Sequence, residues 1–377
     1  MAGVIEKRRE LLELMRECTL DRGYFIVHDI EEKTNLPRST VQDWINRLVD
    51  ENCVIIKEEK RGRSPARYVT KSVTPQSACK RIFTTVDGDF VLIFHECRSN
   101  GCAAFCHYHH LFAKGVIISA QRDGNLLIEK SCLKTGYTFP DTEIGLYPSP
   151  AVGVVDVQKK GNFIVQKIRC VGGPAYSLTG MMKMAEGVYD IRICNEGPVT
   201  EGDVYTYSMS HLIIGVDDTD TKNEGATFAL ALGLLQFLSR LKSVIPISHR
   251  VVMLNPDIKD CTAGNSCSFI ELAVIPREAK KISDIAVRFV ENESLSEDWG
   301  IAIKTGFVIP ESLRDYGISA RCNRITEEDA ENIANINKIF VKGKRGIIGA
   351  VAAISFRGLS NEILLDPSNN SFRKDVI

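Results

Sequence analysis

Three aspartates within four residues, Asp217, Asp218 and Asp220, stand at the end of the apolar run Leu212-Ile-Ile-Gly-Val216, which follows His211. Gly225 and Thr227 follow, and then the mostly apolar stretch Ala229 to Leu238. A short apolar run bounded by turn residues reads as a buried strand, and a longer apolar stretch after Gly reads as a helix. The chain must therefore accommodate a strand, an acidic loop and a helix in succession, which argues an α/β or α+β architecture here. Crowded carboxylates repel. The simplest relief is Mg²⁺, which takes one or two carboxylates together with phosphate oxygens and water. The helix that follows would turn free N–H groups and partial positive charge toward those phosphates. A solvated acidic turn that only caps the helix is the competing reading.

Strand-like and helix-period runs alternate from 211 to 356. Ile282, Ile285, Ala286, Phe289 and Val290 form one helical stripe, and Thr326 with Asp329 has the spacing of a capping box. Gly343, Gly346 and Gly349 let backbone approach an oxyanion, and Lys342, Lys344 and Arg345 add charge just before a helix. Tight helix packing by small residues is the alternative there. Asn265, after Gly264, suits hydrogen bonding to a nucleotide or forms an ordinary turn. From about 80 to 205 the β-like runs Phe90–Phe94, Val116–Ile118 and Asn162–Val165 are broken by Gly and Pro, and no fold is legible in them.

The N-terminus has a different rhythm. A helix is expected over 4–17, a short strand at Tyr24–Val27, a helix at 29–34, a break at Leu36-Pro37 and a third helix over 39–51. Val41, Ile45, Leu48 and Val49 form the buried face of that third helix, leaving Arg38, Thr40, Gln42 and Arg47 to solvent or a groove. Two strands, 54–56 and 67–69, then flank Lys60-Arg61-Gly-Arg63-Ser-Pro65. Lys57 to Lys71 carries six Lys or Arg against two Glu, a local +4 that Arg61, Arg63 and Arg67 could bring to a phosphate backbone. Over the whole chain 47 basic residues meet 48 acidic ones, so nucleic-acid binding has to be local. Residues 4 to 70 resemble the winged helix-turn-helix family, which implies DNA or RNA as partner. Protein contacts, including a homodimer, are the other use of such a unit.

Four of the seven His and three of the twelve Cys fall within residues 95 to 110. That density of thiolate and imidazole suits Zn²⁺ or an iron–sulfur centre, with Cys97, Cys102, Cys106 and His107 as candidate ligands. Cys132, Cys170 and Cys194 are further candidates, and buried inert thiols are the alternative. No run approaches the roughly 18 apolar residues of a membrane span, and the charged N-terminus lacks a signal-peptide core. A cytoplasmic protein with reduced thiols and no membrane partner is expected.

Gly215-Val-Asp-Asp-Thr-Asp220, with Gly225 and Thr227 opening the helix, resembles the kinase-like domain of the agmatidine synthetase family. Leu254-Asn-Pro256 with Thr262-Ala-Gly-Asn265, Asp298-Trp-Gly-Ile-Ala302 and Lys344-Arg-Gly-Ile-Ile-Gly-Ala350 match in order, so the resemblance covers about residues 211 to 358. It implies ATP, a tRNA partner and Mg²⁺ on Asp217, Asp218 and Asp220, with Thr227 in the phosphate-acceptor position. It also implies nucleotide contacts from Thr219, Gly225, Asn265, Lys344, Arg345, Gly346 and Gly349, on a kinase-like and ferredoxin-like α/β region. Glu224-Gly-Ala-Thr227, with Val171-Gly-Gly-Pro174 and Ala185-Glu-Gly-Val188, is also similar to the archaeal family called methanogenesis marker protein eleven.

The expected organisation is a multidomain α+β and α/β chain. A winged helix spans 1–73, an α+β domain with the Cys/His cluster 74–207, and an ATP- and metal-binding domain 208–377. Two functions fit. One is an ATP- and Mg²⁺-dependent enzyme that phosphorylates or adenylates a substrate such as tRNA. The other is a winged-helix regulator of transcription whose C-terminal half senses a nucleotide or metabolite.

Overall fold

The computed structural model describes residues 2–71, 78–133, 143–176, 178, 181–196, 199–258 and 264–369. The expected linker Thr74–Ser77 and the pair Thr262-Ala263 lie outside the described residues, as does the side chain of Cys194. Two compact units result, Met1–Ser77 and Ala78–Ile377.

The first unit comprises helices α1 (Ala2–Arg22), α2 (Val27–Thr34) and α3 (Arg38–Asp50), then the antiparallel strands β1 (Val54–Glu58) and β2 (Arg67–Thr70). Leu11, Met15, Phe25, Ile30, Val41, Ile45 and Leu48 close one core between them. Each fully buried Leu or Ile contributes about 1.5–3 kcal/mol by leaving water. The strand expected at Tyr24–Val27 is not formed. Phe25 makes a single bridge to Tyr68, and Val27 already opens α2. The reason is local, because Asp29 accepts a hydrogen bond from the Ile26 N–H at 2.8 Å and so closes the helix start.

The second unit begins with β3 (Cys79–Asp87), β4 (Phe90–Cys97), α4 (Asn100–Phe112), β5 (Ile117–Asp123) and β6 (Leu126–Cys132). Next come β7 (Val152–Lys160), β8 (Phe163–Val171), the single turn α5 (Gly173–Tyr176), β9 (Val188–Glu196) and β10 (Val199–Asp217). The remainder is α6 (Thr227–Leu238), β11 (Val244–Met253), β12 (Ser266–Val274), α7 (Ala279–Glu293), β13 (Gly300–Thr305), α8 (Glu311–Cys322), α9 (Glu327–Ile336), β14 (Phe340–Gly343), α10 (Ile347–Ser355) and α11 (Asn361–Leu365). Thr326 and Asp329 form the expected capping box at α9.

Strand β10 organises this unit. Its first half lies between β8 and β9, and residues 212–216 lie between β12 and β13, all antiparallel. Between these stretches Ser208–Ser210 pair in parallel with Thr84–Val86 of β3. The boundary expected between 207 and 208 therefore falls inside one continuous strand.

Side chains alternate across β10, as the pleat requires. Leu212, Ile214 and Val216 pack on α6 and α7, while Ile213 packs on the opposite face with α8, α9 and α10. Every residue of α10 except the half-buried Ile348 is buried, and the helix lies directly on the sheet. A Cβ at Gly215 would collide with the Ala350 carbonyl, and one at Gly300 with the Gly346 carbonyl carbon and the Ile347 nitrogen. Small residues on both sides thus set how closely α10 approaches the end of β10.

Candidate functional site

Asp217 is the last residue of β10, and Asp218 turns the chain with a φ of 51°. Non-glycine residues seldom take a positive φ, and such strain collects at functional sites. The three aspartates diverge from there. Asp217 packs its carboxylate against Gly349, where any Cβ would collide with Oδ2. Asp218 Oδ2 accepts from Arg345 Nε at 3.2 Å, and Asp220 Oδ1 accepts from the Thr227 hydroxyl at 3.1 Å. Among the described residues, His95, Cys97 and Cys106 are the one set of three such ligand atoms within 4.8 Å of one another, so the aspartates do not form a three-carboxylate cage. Asp217 and Asp218 remain as a pair.

Burial, and then the neighbouring Asp218, push the Asp217 carboxyl well above its ordinary range. Burial also raises Asp218, against the pull of Arg345. Burial thus disfavours the charged forms of two adjacent carboxylates, an arrangement that a bound divalent cation relieves.

A cavity opens beside this pair. Its lining includes Asp217, Asp218, Asn265, Arg345 and Gly349, five sequence-predicted residues from three separate segments. Asn265 has a φ of 34° and donates from Nδ2 to the Asn255 carbonyl at 2.5 Å. Leu254, Ala320, Asn323 and Arg324 also belong to the wall. The last three come from α8 and the residues after it, which no local pattern connects to the acidic loop.

Other expected residues have different surroundings. Lys344 pairs with Glu297 at 3.3 Å and Lys342 with Glu291 at 2.9 Å, both on the surface. Gly346 donates its N–H to the Asp298 carbonyl, and the N–H groups of Ile347 and Ile348 bond to the Lys344 and Arg345 carbonyls. The start of α10 thus presents Arg345 and Gly349 to the cavity in place of a row of free N–H groups. Thr227 is 5% exposed. Its hydroxyl lies 3.1 Å from the Thr219 hydroxyl, which with the Thr219 N–H fastens the loop to the first turn of α6. Thr219 and Gly225 line a separate depression with Ala229, Phe289 and Leu295.

The Cys/His region is regrouped. His95 and Cys97, two apart on β4, share a face, and Cys79 of β3 is the cross-strand partner of Cys97. Cys102, Cys106 and His110 form one stripe of α4 at intervals of four residues, and all three line a cavity with Cys79, His95 and Cys97. His107 is off this stripe, and its Nε2 points to the Ala120 carbonyl at 3.5 Å. Helical spacing could have selected His110 instead. Cys132 and Cys170 are buried and do not line the cavity.

In the first unit, Arg38 and the tip residues Arg61 and Arg63 are exposed, while Thr40 is half-buried. Gln42 donates to Asn46 Oδ1 at 2.9 Å and to the Tyr68 hydroxyl at 3.3 Å. Arg47 lies over Trp44, and Arg67 pairs with Glu58 at 3.2 Å while its guanidinium stacks 4.5 Å from the Tyr24 ring.

Residues 213–299 match the family model of the TiaS TCKD domain. The chain is 33% identical over 152 residues to the tRNA 2-agmatinylcytidine synthetase TiaS of Pyrococcus horikoshii, an alignment that covers 38% of this chain and 35% of the synthetase. It thus spans about a third of the length of that enzyme. The crystal structure of TiaS in complex with tRNA and ATP is 21% identical over 39% of this chain and 36% of that one, with a TM-score of 0.36. The sequence matches relate the region around the acidic loop to the tRNA agmatidine synthetase family. A longer match is to the uncharacterized protein MJ0921 of Methanocaldococcus jannaschii, 30% identical over 269 residues, 69% of this chain and 86% of that protein. The chain belongs to the family of MJ0921.

Proposed function

We propose that the protein is an ATP- and Mg²⁺-dependent enzyme that activates tRNA, or another nucleic acid, by phosphorylating or adenylating it. The observation that carries this reading is the cavity at the end of β10, where Asp217, Asp218, Asn265, Arg345 and Gly349 meet. Asp217 and Asp218 are the residues suited to hold Mg²⁺, which when bound would neutralise phosphate charge. Arg345 adds a guanidinium matched to phosphate, and Asn265 a polar edge at the wall. Positioning and charge neutralisation are what phosphoryl transfer chiefly needs from a protein. Asp220 and Thr219 hold Thr227, so any phosphate-acceptor role for Thr227 requires those bonds to open. The sequence relation to TiaS supports tRNA as the substrate class, and we read the layered α/β part as the kinase-like and ferredoxin-like region of that family. The run Glu224–Thr227 and its upstream companions keep methanogenesis marker protein eleven as our finer family reading, in a cytoplasmic setting.

The three helices and basic hairpin of the first unit support the winged-helix reading, with Arg38, Arg61 and Arg63 as exposed phosphate contacts. The same feature favours the second reading, a regulator whose second unit senses a nucleotide. Calorimetric titration of Mg-ATP into wild type and Asp218→Asn tests the site. Binding to wild type that is lost in the variant is the expected result. Equal affinity, or no binding to either, overturns it. Turnover of ATP in the presence of tRNA then separates enzyme from sensor.

A further inference from the structure

We propose that a mononuclear soft divalent cation of the Zn²⁺ class binds between β3, β4 and α4, held by His95, Cys97 and Cys106 with Cys79 as the fourth ligand. The first three bring their ligand atoms within 4.8 Å of one another. His95 Nε2 lies 3.2 Å from Cys79 Sγ and 3.8 Å from Cys97 Sγ. With Zn–S of about 2.3 Å and Zn–N of about 2.0–2.1 Å, the edges of a tetrahedron come to about 3.6–3.8 Å. The two observed separations straddle those edges, so one ion can bind His95, Cys97 and Cys106, and Cys79, which touches His95 but lies outside that close set, completes the site by a larger side-chain shift. Imidazole and thiolate together select zinc over the hard cations that prefer oxygen.

The surroundings supply a second, independent observation. The cluster borders a cavity of about 360 Å³ whose other walls include Phe105, Ile168, Leu178 and Met182. His110 lines the same cavity and is 2% exposed. Its Nδ1 lies 2.8 Å from Glu129 Oε1, while its Nε2 is buried with no hydrogen-bond partner. A carboxylate at Nδ1 fixes the tautomer that leaves a lone pair on Nε2, the arrangement found around metal-bound sites. Packed inert thiols would explain neither the convergence on His95 nor a histidine left unsatisfied in an apolar wall. The scaffold is rigid, since two ligands come from one strand, one from its cross-strand neighbour and one from the helix above.

The test uses the full chain, purified under reducing conditions without chelator. Elemental analysis should find about one zinc per chain. The metal should fall to background in Cys97→Ser and Cys106→Ser and persist in His107→Ala, whose side chain points elsewhere. Should the serine variants fail to fold, Co²⁺ exchanged into wild type decides, since tetrahedral thiolate ligation gives intense visible bands and thiolate charge-transfer absorption. Folded, metal-free protein that also fails to bind added Zn²⁺ overturns the proposal. So does iron with acid-labile sulfide, a Cys97–Cys106 disulfide in mass spectra, or zinc that survives both serine substitutions.

Discussion

Six residues apart on β10, His211 and Asp217 anchor two carboxylate clusters whose electrostatics run in opposite directions. Near His211 the buried Glu271 accepts from His211 Nε2 at 3.0 Å, Arg357 Nε at 2.8 Å and Ser248 Oγ at 2.7 Å. Burial alone would raise its pKa, yet Arg357 and His211 together hold the carboxyl well below the usual range. Burial holds His211 itself below its ordinary value, so its neutral ring can donate to Glu271 while Nδ1 faces Thr85 at 3.1 Å. At the strand's end Asp217 and Asp218 are raised, with Arg345 bonded to Asp218. The first cluster is balanced within the fold. The second is not balanced in this way, since burial disfavours the charged forms that a bound cation would restore.

Replacing a carboxylate by its amide should therefore act with opposite consequences in the two clusters. Glu271→Gln strands the buried Arg357 and should cost about 3–5 kcal/mol, read from denaturant midpoints. Because Glu271 has a depressed folded pKa, its contribution is complete above the unfolded value of about 4.3 and fades as pH falls toward the folded one. Wild type should accordingly lose stability through that acid range, and Glu271→Gln should show a shallower loss. A variant as stable as wild type at neutral pH would remove the balanced half of the comparison.

Gly349→Ala is next in size. Its Cβ would collide with Asp217 Oδ2, so a cost of about 1–3 kcal/mol is expected together with weakened Mg-ATP binding. Lost stability with unchanged nucleotide affinity would show that Gly349 serves packing alone. Asp218→Asn should change stability by under roughly 1 kcal/mol, because its charged form is already disfavoured by burial. It should nonetheless abolish Mg-ATP binding in calorimetry. A loss as large as that of Glu271→Gln would mean that the acidic loop is structural.

The smallest effect belongs to the first unit. Arg61 and Arg63 are exposed, so changing both to Ala should move stability by no more than about 0.5 kcal/mol. The slope of log affinity for nucleic acid against log salt should still flatten by about two. An unchanged slope would take the hairpin tip out of any nucleic-acid contact.

Much of this was legible locally. A short apolar run marked the strand ending at Asp217, and period-3.6 patterns marked the stripe of α7 and the buried face of α3, because each is decided within a short stretch of chain. Asp217, Asp218, Asn265, Arg345 and Gly349 could be singled out individually, since Asp repulsion and glycine's freedom of approach are properties of short segments. The Tyr24–Val27 strand misled because a single side-chain cap from Asp29 outweighed β propensity there.

What the sequence by itself determined is the acidic strand end, the glycine-rich segment and the basic hairpin, features whose chemistry is complete within a few residues. Tertiary structure alone decided that Asp220 turns to Thr227 and Lys344 to Glu297, leaving Asp217, Asp218 and Arg345 at the cavity. It also decided that Cys79 faces Cys97, that His110 rather than His107 enters the thiol cavity, and that Glu271 meets an arginine 86 residues away. Cross-strand register and the seating of a helix on a sheet are set by the packing of many apolar side chains at once. No short stretch of residues carries that information.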